Sequence, residues 1–212
     1  MSIRFIDLGL TKYPIALLEM DIAVENVLNG GDECIFFTEH EALYSAGKSF
    51  EKTDFLQTPK LPVYYPNRGG RITVHSPGQV VIYPIINLKK RKLNIHEYVV
   101  MLENWMIDFL GDFGISGHTS DKGVGVWVKD PQHADAKIGF IGIHVTHGVT
   151  SHGLCLNVSN DLSYFESILP CGFNGLQITS LSELSIVESI EDVWSSCKCH
   201  TPFSSLWNEF AP

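Results

Sequence analysis

Four β-rich runs crowd the middle of the chain: "QVVIYPIINL" at 79 to 88, "GVGVWVK" at 123 to 129, "AKIGFIGIHVTHG" at 136 to 148 and "SHGLCLNVS" at 151 to 159. Their density of β-branched and aromatic residues, bounded by Gly, Asn and Asp, predicts strands. Strands this apolar need a cover on their faces. Two helices are available to supply it. "YPIALLEMDIAVENVLNGG" repeats Leu17, Met20, Val24, Val27 and Leu28 at helical spacing and stops at Gly30 and Gly31. In "NIHE", Asn94 is an N-cap with Glu97 three residues on, and Val99, Leu102, Met106, Phe109 and Leu110 follow on one face, ended by Gly111 and Gly114. "ECIFFTEH" predicts a further strand, "LSYFESIL" a short helix ending at Pro170, and the segment from "SIEDVW" to "NEF" a last helix.

This order lacks regular βαβ alternation. It predicts an α+β (α/β) fold in which helices flank a mixed central sheet. At 212 residues, with no internal repeat or long linker, residues 1–212 read as a single domain.

Composition excludes several classes of function. A net charge of -9 opposes binding to nucleic acid or to an acidic membrane surface, both of which require a positive field. No stretch reaches the ~18 to 20 apolar residues of a membrane span. Arg4, Asp7 and Lys12 interrupt the N-terminal apolar run, so it lacks the core of a secretory signal and a cytoplasmic protein is expected. Five cysteines form no disulfide framework. "CKCH" offers Cys197, Cys199 and His200 but no fourth ligand at zinc-site spacing, and no metal is expected.

Two places concentrate chemistry. In "YPNRGGRITVHSPGQ", Gly69, Gly70 and Gly78 free the backbone while Arg68, Arg71, Thr73 and His75 present donors. Such a loop either cradles a substrate or is a glycine turn before a strand. In "ESILPCGFNG", Pro170 and Gly172 put Cys171 at the end of an element. That thiol is either a nucleophile or a small buried side chain. A free thiol, with a pKa of ~8.5, needs a nearby base or cation. Lys137, opening the apolar strand "KIGFIGIHV", is one such partner, and His75, His144, His147 and His152 are rivals. Cys34 reads as core, and Cys155 as core or pocket lining.

Taken together, "RGGRITVHSPGQVVIYPIINL", "GVGVWV", "KIGFIGIHV" and "TSHGLCLNVSNDLSYFESILPCG", in that order, resemble the lipoyl(octanoyl) transferase family, with weaker support from "LGLTKYPIALLEM" and "TEHEALYSAGKSF". The resemblance covers nearly the whole chain and fades after about Ser182. It implies the fold of biotin and lipoate protein ligases. It also implies transfer of an octanoyl group from octanoyl-acyl carrier protein to a lysine of a lipoyl domain, in 2-oxoacid dehydrogenase complexes or the glycine cleavage H protein, the first step of endogenous lipoate synthesis.

On that resemblance Cys171 of the Pro-Cys-Gly motif is the acyl-accepting nucleophile and Lys137 exchanges its proton. The implied substrate contacts are Arg68, Gly69, Gly70, Arg71, Ile72, Thr73, Val74, His75, Phe140, Ile141, Gly142, Gly153, Leu154 and Cys155. No cofactor, and a monomer, are implied. Two departures stand out: Ser76 where the family usually has glycine, and Cys155 where it usually has alanine. "KDPQHADA", before Lys137, is expected to be a mobile loop beside the site. "KKRK" at 89 to 92 is a candidate dock for acidic carrier proteins. The competing readings are an ATP-dependent lipoate-protein ligase, a non-catalytic acyl-carrier-binding protein and a cysteine thioesterase.

Overall fold

The computed structural model describes residues 3–130, 135–186 and 188–203. In chain order the strands are β1 (Arg4–Thr11), β2 (Cys34–His40), β3 (Leu43–Ala46), β4 (Val63–Tyr64), β5 (Ile72–His75), β6 (Gln79–Ile85), β7 (Val126–Val128), β8 (Ala136–Thr146) and β9 (Val149–Asn157). The helices are α1 (Tyr13–Leu28), α2 (Leu88–Arg91), α3 (Ile95–Gly111) and α4 (Ile190–Cys199). Six strands form one sheet in the order β1-β2-β6-β9-β8-β7, and β4-β3-β5 form a second, smaller sheet. Only β1 and β2 run parallel in the large sheet. The mixed sheet with flanking helices is therefore as expected from the sequence.

The large sheet is buried on both sides, and its strands sort their side chains with period two. On β6, Val80 and Ile82 face one core, while Val81, Tyr83 and Ile85 face the other. The first core is closed by α3 and α4 through Leu102, Trp105, Met106, Phe109, Leu110 and Trp194. The second is closed by α1 and the small sheet through Ala16, Met20, Tyr44, Ile72 and Val74. Each fully buried Leu, Phe or Met contributes about 1.5–3 kcal/mol.

Helix ends form as the sequence predicts. Asn94 and Glu97 make the reciprocal capping box of α3, and Gly30 closes α1 at φ +91° with the paired bonds of a Schellman motif, Gly31 N–H to Asn26 O and Gly30 N–H to Val27 O. Two side chains depart from the expected faces. Leu28 is exposed and Val99 only half-buried, whereas Tyr98 and Trp105, omitted from the apolar stripe, are among the largest fully buried side chains. The short helix at 162 to 167 is 3-10, α4 ends at Cys199, and "NEF" lies outside the described residues.

Pro84 stands in a central strand although it cannot donate to a ladder. The β6–β9 pairing stops at Ile82 opposite Leu154, and Thr150 repairs the gap: its Oγ1 donates to Pro84 O (2.7 Å) and accepts from Ile86 N–H (2.9 Å). Gly153 faces the same gap, where a Cβ would stand 2.2 Å from Ile82 O. The sheet is thus parted beside the residues that line the pocket described next.

Candidate active site

Cys171 occupies a tight turn, Pro170–Gly172, with φ +56° and ψ +13°. For a residue with a Cβ this left-handed conformation costs of order 1–3 kcal/mol and persists only where the surroundings enforce it. Asp54 enforces it from two sides. Its carbonyl accepts Leu169 N–H (2.7 Å), and its fully buried carboxylate takes Arg71 through Nε (3.0 Å) and Nη2 (2.6 Å). The Arg71 side chain then lies against Gly172, where a Cβ would meet its Cδ at 2.5 Å. Gly172, at φ +81°, donates its own N–H to Leu169 O (2.9 Å), so that group is already committed and is no free oxyanion donor.

Lys137 meets this turn across 34 positions of sequence. It is 1 % exposed, with Nζ 2.5 Å from Val124 O and 3.5 Å from Cys171 Sγ. The ammonium lies over the rings of Trp127 (5.4 Å) and Phe140 (5.1 Å). Among the described residues no carboxylate forms an ion pair with it. The chain returning from Cys171 runs beside it, with Lys137 N–H on Gln177 O and Thr179 N–H on Lys137 O. Gly125, at φ +123°, lets the 123–125 segment close over Lys137, since a Cβ there would stand 2.8 Å from its Cε.

The pocket beside the pair is lined by Ile72, Val81, Phe140, Leu154 and Cys155, with a polar end made by Arg68, Tyr13, Tyr83, His75 and His152. Arg68 is buried with no carboxylate partner among the described residues. Its Nε donates to Ser45 Oγ (2.9 Å) and Nη1 to Gly69 O (2.8 Å), and Nη2 donates to Ser45 O. Gly142 and Gly47 make room for it, because a Cβ at either would press on the guanidinium. Burial, reinforced by the charge of Arg68, pushes His152 down to about 3. Burial and then the neighbouring His40 push His75 well below the usual histidine range, while its Nδ1 faces Gln79 Oε1 at 2.7 Å. His40, held by Thr11 O and Tyr83 OH, is pushed down to about 4 by burial. The three imidazoles are neutral near pH 7, and the Cys155 thiol, pushed up to about 12 by burial, is uncharged as well. A fixed guanidinium is therefore the permanent charge at the polar end.

Twelve of the anticipated contacts and the nucleophile meet here: Arg68, Gly70, Arg71, Ile72, Thr73, His75, Phe140, Ile141, Gly142, Gly153, Leu154 and Cys155, with Cys171. Gly69 and Val74 do not line the pocket. Gly69 fixes Arg68 through its carbonyl, and Val74 is buried in the core under the small sheet. Tyr13, Val81, Tyr83 and His152 line it without having been singled out as contacts; the histidine stood only among the rival proton partners. Of the other rivals, His144 bonds Asn67 and Lys48, and His147 is exposed in a turn.

Ser76 takes an ordinary negative φ, and Gly78, at φ +87°, makes the sharp turn, its N–H held by Glu39 Oε2. Cys34 and Cys197 are core residues, Cys199 is exposed, and among the described residues no cluster suits a metal ion. Residues 131–134 of the expected loop lie outside the described residues. In the basic run, Arg91 forms an ion pair with buried Glu33 and lies over Phe203, leaving Lys89, Lys90 and Lys92 exposed.

The model of the Lipoyl protein ligase A/B catalytic domain family matches residues 13–201. An octanoyltransferase of Rickettsia prowazekii is 41% identical over 188 residues, covering 87% of this chain and 90% of the relative. The chain belongs to the octanoyltransferase family. Solved structures with the octanoyltransferase's fold include a bi-partite lipoate protein ligase from Thermoplasma acidophilum, with a TM-score of 0.73 at 14% identity over 95% of this chain and 83% of that one. The biotin protein ligase of Aquifex aeolicus shares the fold more distantly, with a TM-score of 0.52 at 10% identity over 95% and 67%. Among the described residues of this octanoyltransferase no helix is long and apolar enough to cross a membrane.

Proposed function

We propose that this chain transfers an octanoyl group from the thioester of an acyl carrier protein to a lysine amine of a lipoyl domain, through an acyl-enzyme on Cys171. The observation that carries the reading is the 3.5 Å approach of Lys137 Nζ to Cys171 Sγ, beside a pocket whose polar end holds the buried guanidinium of Arg68. Lys137, as the free amine, takes the proton of Cys171, and the thiolate attacks the carrier thioester carbonyl. The tetrahedral anion collapses, the carrier thiol leaves with the proton that Lys137 returns, and octanoyl rests on Cys171. The acceptor lysine, as the free amine, then attacks this thioester; the C–S bond breaks as the amide forms, and the proton shed by the amine nitrogen passes through Lys137 to the departing Cys171 thiolate.

Each neighbour has a role in this scheme. Val124 O holds one N–H of Lys137 and thereby aims Nζ at the sulfur. Arg68 supplies fixed positive potential where negative charge develops. Thr73 Oγ1, buried in the pocket lining without a hydrogen-bond partner among the described residues, is available to bond a substrate carbonyl. Val81, Phe140, Leu154 and Ile72 receive the alkyl chain. Lys89, Lys90 and Lys92 offer a local positive surface to acidic carriers on a chain of net charge -9.

Intact-mass measurement after mixing with octanoyl-carrier, without ATP, tests the scheme. The wild type gains one octanoyl group and then discharges it onto a lipoyl domain, while Cys171→Ala gains none. A normal adduct on Cys171→Ala, or an absolute requirement for ATP and magnesium, would sink it in favour of another nucleophile or of a ligase.

A further inference from the structure

Glu103 is a buried carboxylate on α3, 8 % exposed, and it forms no ion pair among the described residues. Its Oε1 accepts the N–H of Gly125 at 2.9 Å. That N–H belongs to the same peptide unit as Val124 O, which accepts Lys137 Nζ at 2.5 Å. The peptide is trans, so its C=O and N–H point in opposite directions. Two buried opposite charges thus face each other across one peptide plane, in the sequence ammonium, carbonyl, amide, carboxylate, with the peptide dipole aligned between them. A hydrogen bond polarised at both ends is strengthened at both.

We infer that Glu103 is the positioning counter-charge of Lys137, acting through the Val124–Gly125 peptide. The carboxylate fixes the 123–125 segment and favours positive charge at Nζ, and it touches neither substrate nor Cys171. Its significance for the reaction rests on the reading of Lys137 as the proton partner. The other groups around Lys137 do not replace it. Cys171 and Cys155 are thiols, Arg68 and Lys122 are cations, and Asp135, two residues before Lys137, is engaged by His118 (2.7 Å), Lys122 (3.4 Å) and Lys129 (3.8 Å).

The test is the titration of Lys137 itself, followed by its 13Cε signal in lysine-labelled full-length protein and assigned with Lys137→Met. Cys171→Ala serves as the background, to uncouple the thiol. Glu103→Gln preserves an acceptor for Gly125 N–H, so a hydrogen-bonding role alone leaves the midpoint in place. The counter-charge role moves the midpoint to lower pH, because removing a nearby negative charge disfavours the protonated amine. An unchanged midpoint in a folded Glu103→Gln protein overturns the inference.

Should Glu103→Gln fail to fold, the Cys171→Ala protein with Glu103 intact gives the answer. The Glu103 13Cδ signal inflects at the pH where Lys137 titrates, and a flat signal through that transition overturns the inference equally. A shifted lysine midpoint with unaltered pH dependence of octanoylation in Glu103→Gln upholds the counter-charge and instead removes Lys137 from proton exchange.

Discussion

The two faces of the six-stranded sheet are both buried, yet they are built to opposite specifications. On the α3/α4 side, apolar side chains pack against one another, and the indole of Trp105 satisfies its N–H on Cys197 O at 2.9 Å. On the α1 side stand a buried Arg68 with no carboxylate partner among the described residues, three neutral histidines, a left-handed cysteine and a parted strand pair. One face holds the fold together, and the other uses that stability to hold strained and desolvated groups in place. Mutations should therefore separate stability from acyl transfer according to the face they touch.

The largest stability loss is expected on the apolar face. Trp105→Ala should cost about 3–5 kcal/mol in denaturant unfolding, with acylation per folded molecule unchanged. On the polar face stability should depend on pH. His40, His75 and His152 are held below the unfolded histidine value, so the folded state binds fewer protons than the unfolded one. Their contribution is complete above about pH 6.5 and is lost as pH falls towards 4 and 3, each histidine adding a slope of at most about 1.4 kcal/mol per pH unit. In acid titrations of the unfolding midpoint, His152→Gln should flatten this slope by one histidine's share.

Gly172→Ala sharpens the contrast further. Left-handed backbone and contact with Arg71 predict a cost of about 1–3 kcal/mol, together with a loss of acylation rate beyond what the unfolded fraction explains. A rate that merely follows the folded fraction would mean that the turn geometry is not needed for chemistry. The smallest effect belongs to the exposed lysines: changing Lys89, Lys90 and Lys92 to Glu should leave stability within about 0.5 kcal/mol while weakening the salt dependence of acylation. Arg91 is excluded from that set because its ion pair with Glu33 is structural.

What the sequence disclosed follows the same division. Long strands and capped helices carry their own signal over many residues, and β2, β6, β8, β9, α1 and α3 lie where the pattern puts them. β3, β4 and β5 span four, two and four residues, too short for a period to show, and the small sheet they build was not anticipated. The edge strand β1 escaped because charged residues interrupt its apolar pattern. Cys171, Lys137 and the 68–75 loop stand out locally as unusual residue types, but their spacing leaves bland alternatives open and only the family resemblance gives them roles. Tyr13, Tyr83 and His152 carry no local mark, since each reaches the pocket only through long-range packing. Glu103 stands between apolar helix positions with no local mark, and only the fold aims it at Gly125.

The central claim, that Lys137 and Cys171 act as one proton-exchanging pair, is tested most directly by the single-turnover rate of octanoylation in Lys137→Met. Methionine keeps an unbranched apolar stem of similar length beside Trp127 and Phe140 and lacks the amine. The account predicts a rate lower by ~10²–10⁴-fold with the thermal unfolding midpoint little changed, whereas a wild-type rate in the folded variant would contradict it.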